Sequence, residues 1–217
     1  MPSFVIQPSD EAVQTLAASD AQMQKLITVI GKVVVPMRPD YFRSLARSIT
    51  GQQISVKAAE TIFSRLEKRV EGHMTPEMIC QVSDDQLRAT GLSGQKTRYL
   101  RDLAAKIQDG TIDFTHLHAL TNQAVIKQLT AIKGIGKWTA EMFLIFSLGR
   151  MNVLATDDVG LQRGAKWLYD TDESTRKQIL LDKQKVWTPH LTIASFYLWK
   201  IVDLGYDKAY LSIEDIT

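Results

Sequence analysis

The sequence predicts an all-α protein, and three observations predict it. Apolar residues recur at i, i+3 and i+4 along most of the 217 residues, capping residues and glycines punctuate those runs, and the connections between them are short. Hydrophobic residues make up 45%, enough for a core in one domain or in two small lobes. The net charge is only +2, so affinity for nucleic acid has to come from a local basic patch. The one cysteine, Cys80, excludes an internal disulfide and a four-cysteine iron–sulfur cluster, and is expected to be a buried small hydrophobe. No stretch has the length of a membrane span, and no basic region followed by an apolar run opens the chain. An intracellular protein is therefore expected, in the cytoplasm or nucleoid of a bacterium or the nucleus of a eukaryote.

Residues 9 to 31 carry two helical patterns. The first is capped near Ser9; the second has Ser19 and Gln22 in capping-box spacing and Met23, Leu26, Ile27 and Ile30 on one face. Val33 to Val35 reads as a brief strand, and Pro36 and Pro39 mark a boundary. Phe42, Leu45, Ala46 and Ile49 give one helix, and Val56, Ala59, Ile62, Phe63, Leu66 and Val70 the next, with Gly51-Gln52-Gln53 interrupting them as an exposed turn. Thr75-Pro76 and Ser83 with Gln86 start two short helices, the second ending at Thr90-Gly91. Leu100, Leu103, Ala104 and Ile107 follow at helical spacing, closed by Gly110, and Lys96, Arg98 and Arg101 lie there as a solvated face or as cations turned to DNA. His116 and His118, two apart in a loop or helix, lack the spacing of a metal pair.

The most informative stretch begins at Thr121, an N-cap for a short helix with Val125, Ile126 and Leu129 on one face. A second helix runs from Lys137 to Leu148, with Gly149 as its C-terminal glycine. Between them Gly134-Ile135-Gly136 permits positive φ and leaves amides unshielded by any Cβ at a helix N-terminus, where a phosphate can bind. Ile135 packs back beneath the two helices. Helices then follow over residues 159 to 169, within the charged segment Asp170 to Lys185, and after Trp187-Thr188-Pro189, with Pro189 suited to a first helical turn.

The string L-x-x-I-x-G-I-G-x-x-T-A, from Leu129 to Ala140, resembles the helix-hairpin-helix motif, which grips the phosphates of one DNA strand without reading sequence. Lys133 and Lys137 flank the glycines, and Gly134, Gly136 and Thr139 complete the implied phosphate site. Twenty residues after Trp138 stands Asp158, in Thr156-Asp157-Asp158-Val159-Gly160. This arrangement resembles the helix-hairpin-helix DNA glycosylases with a Gly/Pro-rich loop and an essential aspartate, and most of all their 3-methyladenine DNA glycosylase II branch. The likeness covers about residues 36 to 205, although the loop holds Gly149 and no proline.

That resemblance implies a two-lobed helical fold: a central lobe over residues 41–150, a second lobe from residues 1–40 plus 151–217, and an active-site cleft between them. The N-terminal β domain of some relatives is not expected. Asp158 is implied as the catalytic carboxylate that stabilises a cation-like sugar, with Asp157 as the helix cap; taken alone, Asp158 also suits a cap. Gly51-Gln52-Gln53-Ile54-Ser55 matches the family's G-Q-x-x-S string, making Gln52 and Gln53 the minor-groove contact, with Gln53 filling the gap left by an extruded nucleotide. Trp138 and Trp199 are implied for the base pocket, the latter in W-x-P-x-x-x-x-A-x-x-x-x-W, although each is also an ordinary core tryptophan by composition. Met142 stands where the family has a second aromatic.

Relatives that also cut the backbone place a Schiff-base lysine two residues after the second glycine; here that residue is Trp138, which implies a monofunctional hydrolase. No cofactor is implied, save a structural Na+ or K+ on the main-chain carbonyls of Thr130, Ile132 and Ile135. The expected partner is damaged double-stranded DNA, bound by a monomer. Two other functions fit these residues: a glycosylase for an oxidised or deaminated base, and a helix-hairpin-helix protein that binds DNA without catalysis.

Overall fold

A computed structural model describes residues 2–169 and 175–216. In chain order they form β1 (Ser3–Ile6), α1 (Glu11–Ser19), α2 (Ala21–Ile30), β2 (Val33–Pro36), α3 (Tyr41–Gly51), α4 (Val56–Arg69), α5 (Pro76–Gln81), α6 (Asp84–Ala89) and α7 (Gly94–Gln108). A 3-10 turn at Leu117–Ala119 precedes α8 (Asn122–Thr130) and α9 (Lys137–Phe146); α10 (Val159–Tyr169), α11 (Arg176–Trp187), α12 (Leu191–Asp203), the short α13 (Tyr206–Ala209) and a 3-10 turn at Ile213–Asp215 complete the chain. The fold is helical, as the periodicity predicts, with one two-stranded sheet besides. Among the described residues no helix is long and apolar enough to cross a membrane.

Contacts divide the chain into two compact units, 1–37 with 149–217 and 38–148. In the first unit β1 pairs antiparallel with β2, from Ser3 opposite Pro36 to Ile6 opposite Val33. The centre of this unit is α12, whose residues from Leu191 to Leu198 are all buried. A helix apolar on every face has to be enclosed by its neighbours. Ser195 and Thr192 satisfy their hydroxyls on the Leu191 and Arg150 carbonyls. Helix α10 crosses α12 at backbone distance: a Cβ on Gly164 would lie 2.5 Å from the Leu198 carbonyl oxygen.

The second unit is organised around α9, buried from Thr139 to Ile145 and packed against α3 and α8. Helix α7 lies against α3, α5 and α6. Arg101, offered by the sequence as a solvated or DNA-facing cation, is structural: it pairs with Asp84 and donates to the Ile79 and Val82 carbonyls.

Most caps stand where the spacing puts them. Thr75, Ser83 with Gln86 in a capping box, and Thr121 each accept from the expected backbone N–H. Several expectations need correction. Helix α1 has Asp10, next to Ser9, as its N-cap position, whereas α2 is capped by Asp20 and not Ser19. Helix α9 ends at Phe146 with Ser147 as its C-cap, so Gly149, at φ +66°, belongs to the loop beyond. Pro189 precedes α12, whose N-cap is His190. Cys80 is exposed, its thiol 3.2 Å from the Gln108 side-chain oxygen. In the segment Asp170 to Lys185 the helix begins at Arg176; residues 170–174 lie outside the described residues.

Candidate active site

The hairpin turn between α8 and α9 is closed by the Ile135 N–H donating to the Ile132 carbonyl at 3.1 Å. Ile135 is buried beneath it, as its place between the glycines predicts. The two glycines do different work. Gly134 sits at φ +82°, and a Cβ there would lie 2.1 Å from the Tyr99 ring, which covers it. Gly136 is the N-cap of α9 at φ −91°, brings no side-chain cap, and has nothing within 4 Å of its missing Cβ. A helix start of that kind presents backbone N–H groups and the positive end of the helix dipole to an approaching anion.

Around the turn, the Lys133 N–H donates to Asp102 at 2.8 Å, and its side chain, 71% exposed, reaches to 3.8 Å from the same carboxylate. Burial alone would raise the Asp102 pKa, but hydrogen bonds from Lys106 and the Lys133 N–H, with both lysine charges, hold it below the ordinary range. The Lys137 ammonium lies 3.5 Å from Glu141, one turn along α9. Thr139 is buried and lines the neighbouring cavity.

That cavity, about 900 Å³ in volume, belongs to the second unit. Gln52, Gln53, Gly134, Gly136, Trp138, Thr139 and Met142 all line it, whereas Lys133 and Lys137 do not. Trp138 is 47% exposed, far from the core position that a lone tryptophan ordinarily takes. Gln53 is exposed in a left-handed conformation, φ +57°, at the tip between α3 and α4. The Gln52 amide turns the other way and donates to the Gly134 carbonyl at 2.6 Å.

Asp158 and Trp199 lie in the first unit. Asp158 begins α10: its Oδ1 accepts from the Leu161 N–H at 2.8 Å and from the Trp199 indole N–H at 3.0 Å. The cap expected at Asp157 is supplied by its neighbour. Asp158 is the cap, while Asp157 pairs with Lys177. What decides it is a partner 41 residues away, the Trp199 indole, itself packed against Phe196 at 5.6 Å between ring centres. Gly160 makes room for the pair, since a Cβ there would lie 3.1 Å from Asp158 Oδ1 and 3.3 Å from the Trp199 ring. The loop before α10 is held by the Asp158 N–H on the Ala155 carbonyl and by the Gln162 amide on the Thr156 carbonyl.

Among the described residues no group of three or more histidine, cysteine, aspartate or glutamate side chains is placed to hold a metal. His118 bonds instead to the Tyr41 hydroxyl at 2.6 Å. The sequence did not reveal Tyr99, Asp102 and the Gln52 amide as supports of the hairpin, because each acts across 31 to 82 residues; a tyrosine and an aspartate three apart on a helix were the one available signal.

Residues 46–189 match the model of the HhH-GPD superfamily of base excision DNA repair proteins. Among solved structures, a DNA-3-methyladenine glycosidase from Bacillus halodurans superposes with a TM-score of 0.91 at 43% identity, covering 100% of this chain and 99% of that one. A 3-methyladenine DNA glycosylase of Schizosaccharomyces pombe, in complex with abasic DNA, superposes with a TM-score of 0.77 at 32% identity over 90% of this chain and 98% of that one. DNA-3-methyladenine glycosylase 1 of Schizosaccharomyces pombe is 32% identical over 200 residues, 88% of this chain and 86% of the relative. By that match over most of its length and these identities, the chain belongs to the HhH-GPD superfamily of base excision DNA repair proteins.

Proposed function

We propose that this protein is a monofunctional DNA glycosylase that extrudes N3- and N7-methylated purines from duplex DNA and hydrolyses their glycosidic bond, leaving an abasic site. The observation that carries it is the Asp158 carboxylate, fixed at the start of α10 by the Leu161 N–H and the Trp199 indole. As the C–N bond lengthens, positive charge develops on C1′ and the ring oxygen, and a preoriented carboxylate stabilises it. The departing base takes the bonding electrons, so a purine made cationic by methylation leaves neutral. Water then adds to C1′ and releases a proton.

The second unit supplies the grip and the pocket. The α9 N-terminus at Gly136, with Lys133, Lys137 and Thr139 beside it, takes the backbone phosphates. Gln53 fills the gap in the duplex, with Gln52 behind it. Trp138 and Met142 receive the base, Trp138 by its face, which attracts a cationic purine; Trp199 serves the pocket through its edge, by orienting Asp158. The hairpin carbonyls of Thr130, Ile132 and Ile135 would supply an all-oxygen donor set. Ile132 keeps a second lone pair beyond its bond to the Ile135 N–H, so the set fits Na+ or K+, which would stiffen the turn. Replacing KCl by choline chloride at equal ionic strength is then expected to weaken DNA affinity measurably; unchanged affinity removes the cation.

Two glycine variants separate grip from fold. Gly136→Ala is expected to melt as the parent does, since its φ suits alanine and the space is open, while binding DNA several-fold more weakly because the Cβ stands where a phosphate approaches. Gly134→Ala is expected to lower the melting temperature, by left-handed strain and by collision with Tyr99. Calorimetry with fluorescence anisotropy checks both, and unweakened DNA binding by Gly136→Ala would move the phosphate site elsewhere.

The activity is tested with duplexes that each carry one lesion, alkylated, oxidised or deaminated, scored by alkali-revealed abasic sites. Release from the alkylated purines alone is expected. Because Trp138 occupies the position of the Schiff-base lysine, borohydride is expected to trap no protein–DNA adduct, and a trapped adduct would make the enzyme a lyase.

A further inference from the structure

Three residues of α7, Lys96, Tyr99 and Asp102, are spaced at i, i+3 and i+6, and each reaches a different part of the hairpin or of the α3 end beside it. Asp102 holds the Lys133 N–H at the entrance to the hairpin. Tyr99 covers Gly134 at its tip. The Lys96 ammonium donates to the Thr50 carbonyl at 2.8 Å, in the last turn of α3, immediately before the loop that carries Gln53. A second strut closes the circuit, the Gln52 amide on the Gly134 carbonyl at 2.6 Å. The loop they brace is strained: Gln53 and Glu71 are the non-glycine residues at positive φ among those described, and Gln53 stands at the cavity rim. A left-handed non-glycine tip persists only where its surroundings over-determine it.

We infer that Lys96, with Gln52, is a positioning residue that sets the Gln53 tip in register with the hairpin, so that gripping the backbone and filling the gap left by an extruded base occur as one event. The inference rests on the glycosylase function proposed above and adds a coupling to it. Burial depresses the Lys96 pKa, consistent with an ammonium drawn from solvent toward the helix end, where a cation also complements the last carbonyls of α3.

The test compares single-turnover excision of 7-methylguanine from two duplexes, one with the lesion paired with cytosine and one with it opposite an abasic-site analogue, where nothing has to be unpaired. Lys96→Met is expected to slow excision from the paired duplex about tenfold, the weight of one hydrogen bond to a charged group. Excision from the unpaired duplex should stay within about twofold, and Lys96→Arg should restore the paired rate. Lys96→Ala, run alongside, is expected to show the same split, so a folding failure in one variant leaves the other to decide. Equal slowing on both duplexes, or slowing on neither, overturns the coupling. If the unsubstituted protein excises from neither duplex, the glycosylase function itself fails, and the coupling with it.

Discussion

Asp158→Asn is expected to abolish excision of methylated purines while leaving fold and DNA affinity in place. The amide oxygen of asparagine still accepts from the Leu161 N–H and the Trp199 indole, so the start of α10 keeps its cap. What is lost is the negative charge. Removing one preorganised electrostatic partner of a developing charge costs roughly 10²- to 10³-fold in rate, and a full carboxylate beside a cation-like sugar belongs at or above the top of that range. Asp158→Ala differs instructively: it also strips the cap and is expected to cost about 1 kcal/mol of stability. Single-turnover kinetics and thermal melts on the two variants separate chemistry from capping. Excision by Asp158→Asn within tenfold of the parent would leave the residue as a cap and nothing more.

The second large effect is on stability and lies in the first unit, at Asp20. Asp20 is 6% exposed, and its carboxylate accepts five hydrogen bonds: from the Gln22 and Met23 N–H groups, the Tyr169 hydroxyl, the Lys183 ammonium and the Trp187 indole. It ties α2 to α10 and α11, and the Lys183 ammonium also lies over the Tyr169 ring at 4.1 Å. Breaking a buried charge network by removing one partner costs about 3–5 kcal/mol. For a chain of this size Asp20→Ala is therefore expected to melt roughly 10 °C lower.

The pH dependence carries a definite sign. Burial acts to raise the Asp20 pKa, but the bonds from Lys183, Met23, Tyr169 and Trp187 outweigh it and leave the folded value below that of an unfolded aspartate. Its contribution is complete at neutral pH and is lost as the pH falls through the folded value. Melts between pH 7 and pH 3 should show a shallower acid decline in the variant than in the parent. Parallel curves would mean that the network contributes no pH-linked stability.

Helices were legible wherever their signals were local. The caps at Thr75, Ser83 and Thr121 and the run from Val159 to Tyr169 need only neighbours three or four residues away. The two misread caps share one cause. Ser19 and Asp20 are both capping residues, and the choice between them was made by Lys183, Tyr169 and Trp187, about 150 residues or more along the chain. The same holds for Asp157 and Asp158, which differ because Trp199 reaches one and Lys177 the other. Strand β1 is four residues with a partner thirty residues on, too short and too distant to register in periodicity. Of the candidate site, the glycines, Asp158 and the tryptophans were visible as a motif, whereas the supports of the hairpin on α7 depend on packing between helices that no local spacing encodes.

A protein that works in this way frees an intact base and leaves the sugar–phosphate chain unbroken. Incubation with methylated duplex DNA, chromatography of the released material and gel analysis of the strands test it in one experiment. Free 3-methyladenine and 7-methylguanine are expected, with strands that break only after alkali and no free base from Asp158→Asn. Absence of any released base, or strand breaks before alkali, would contradict it.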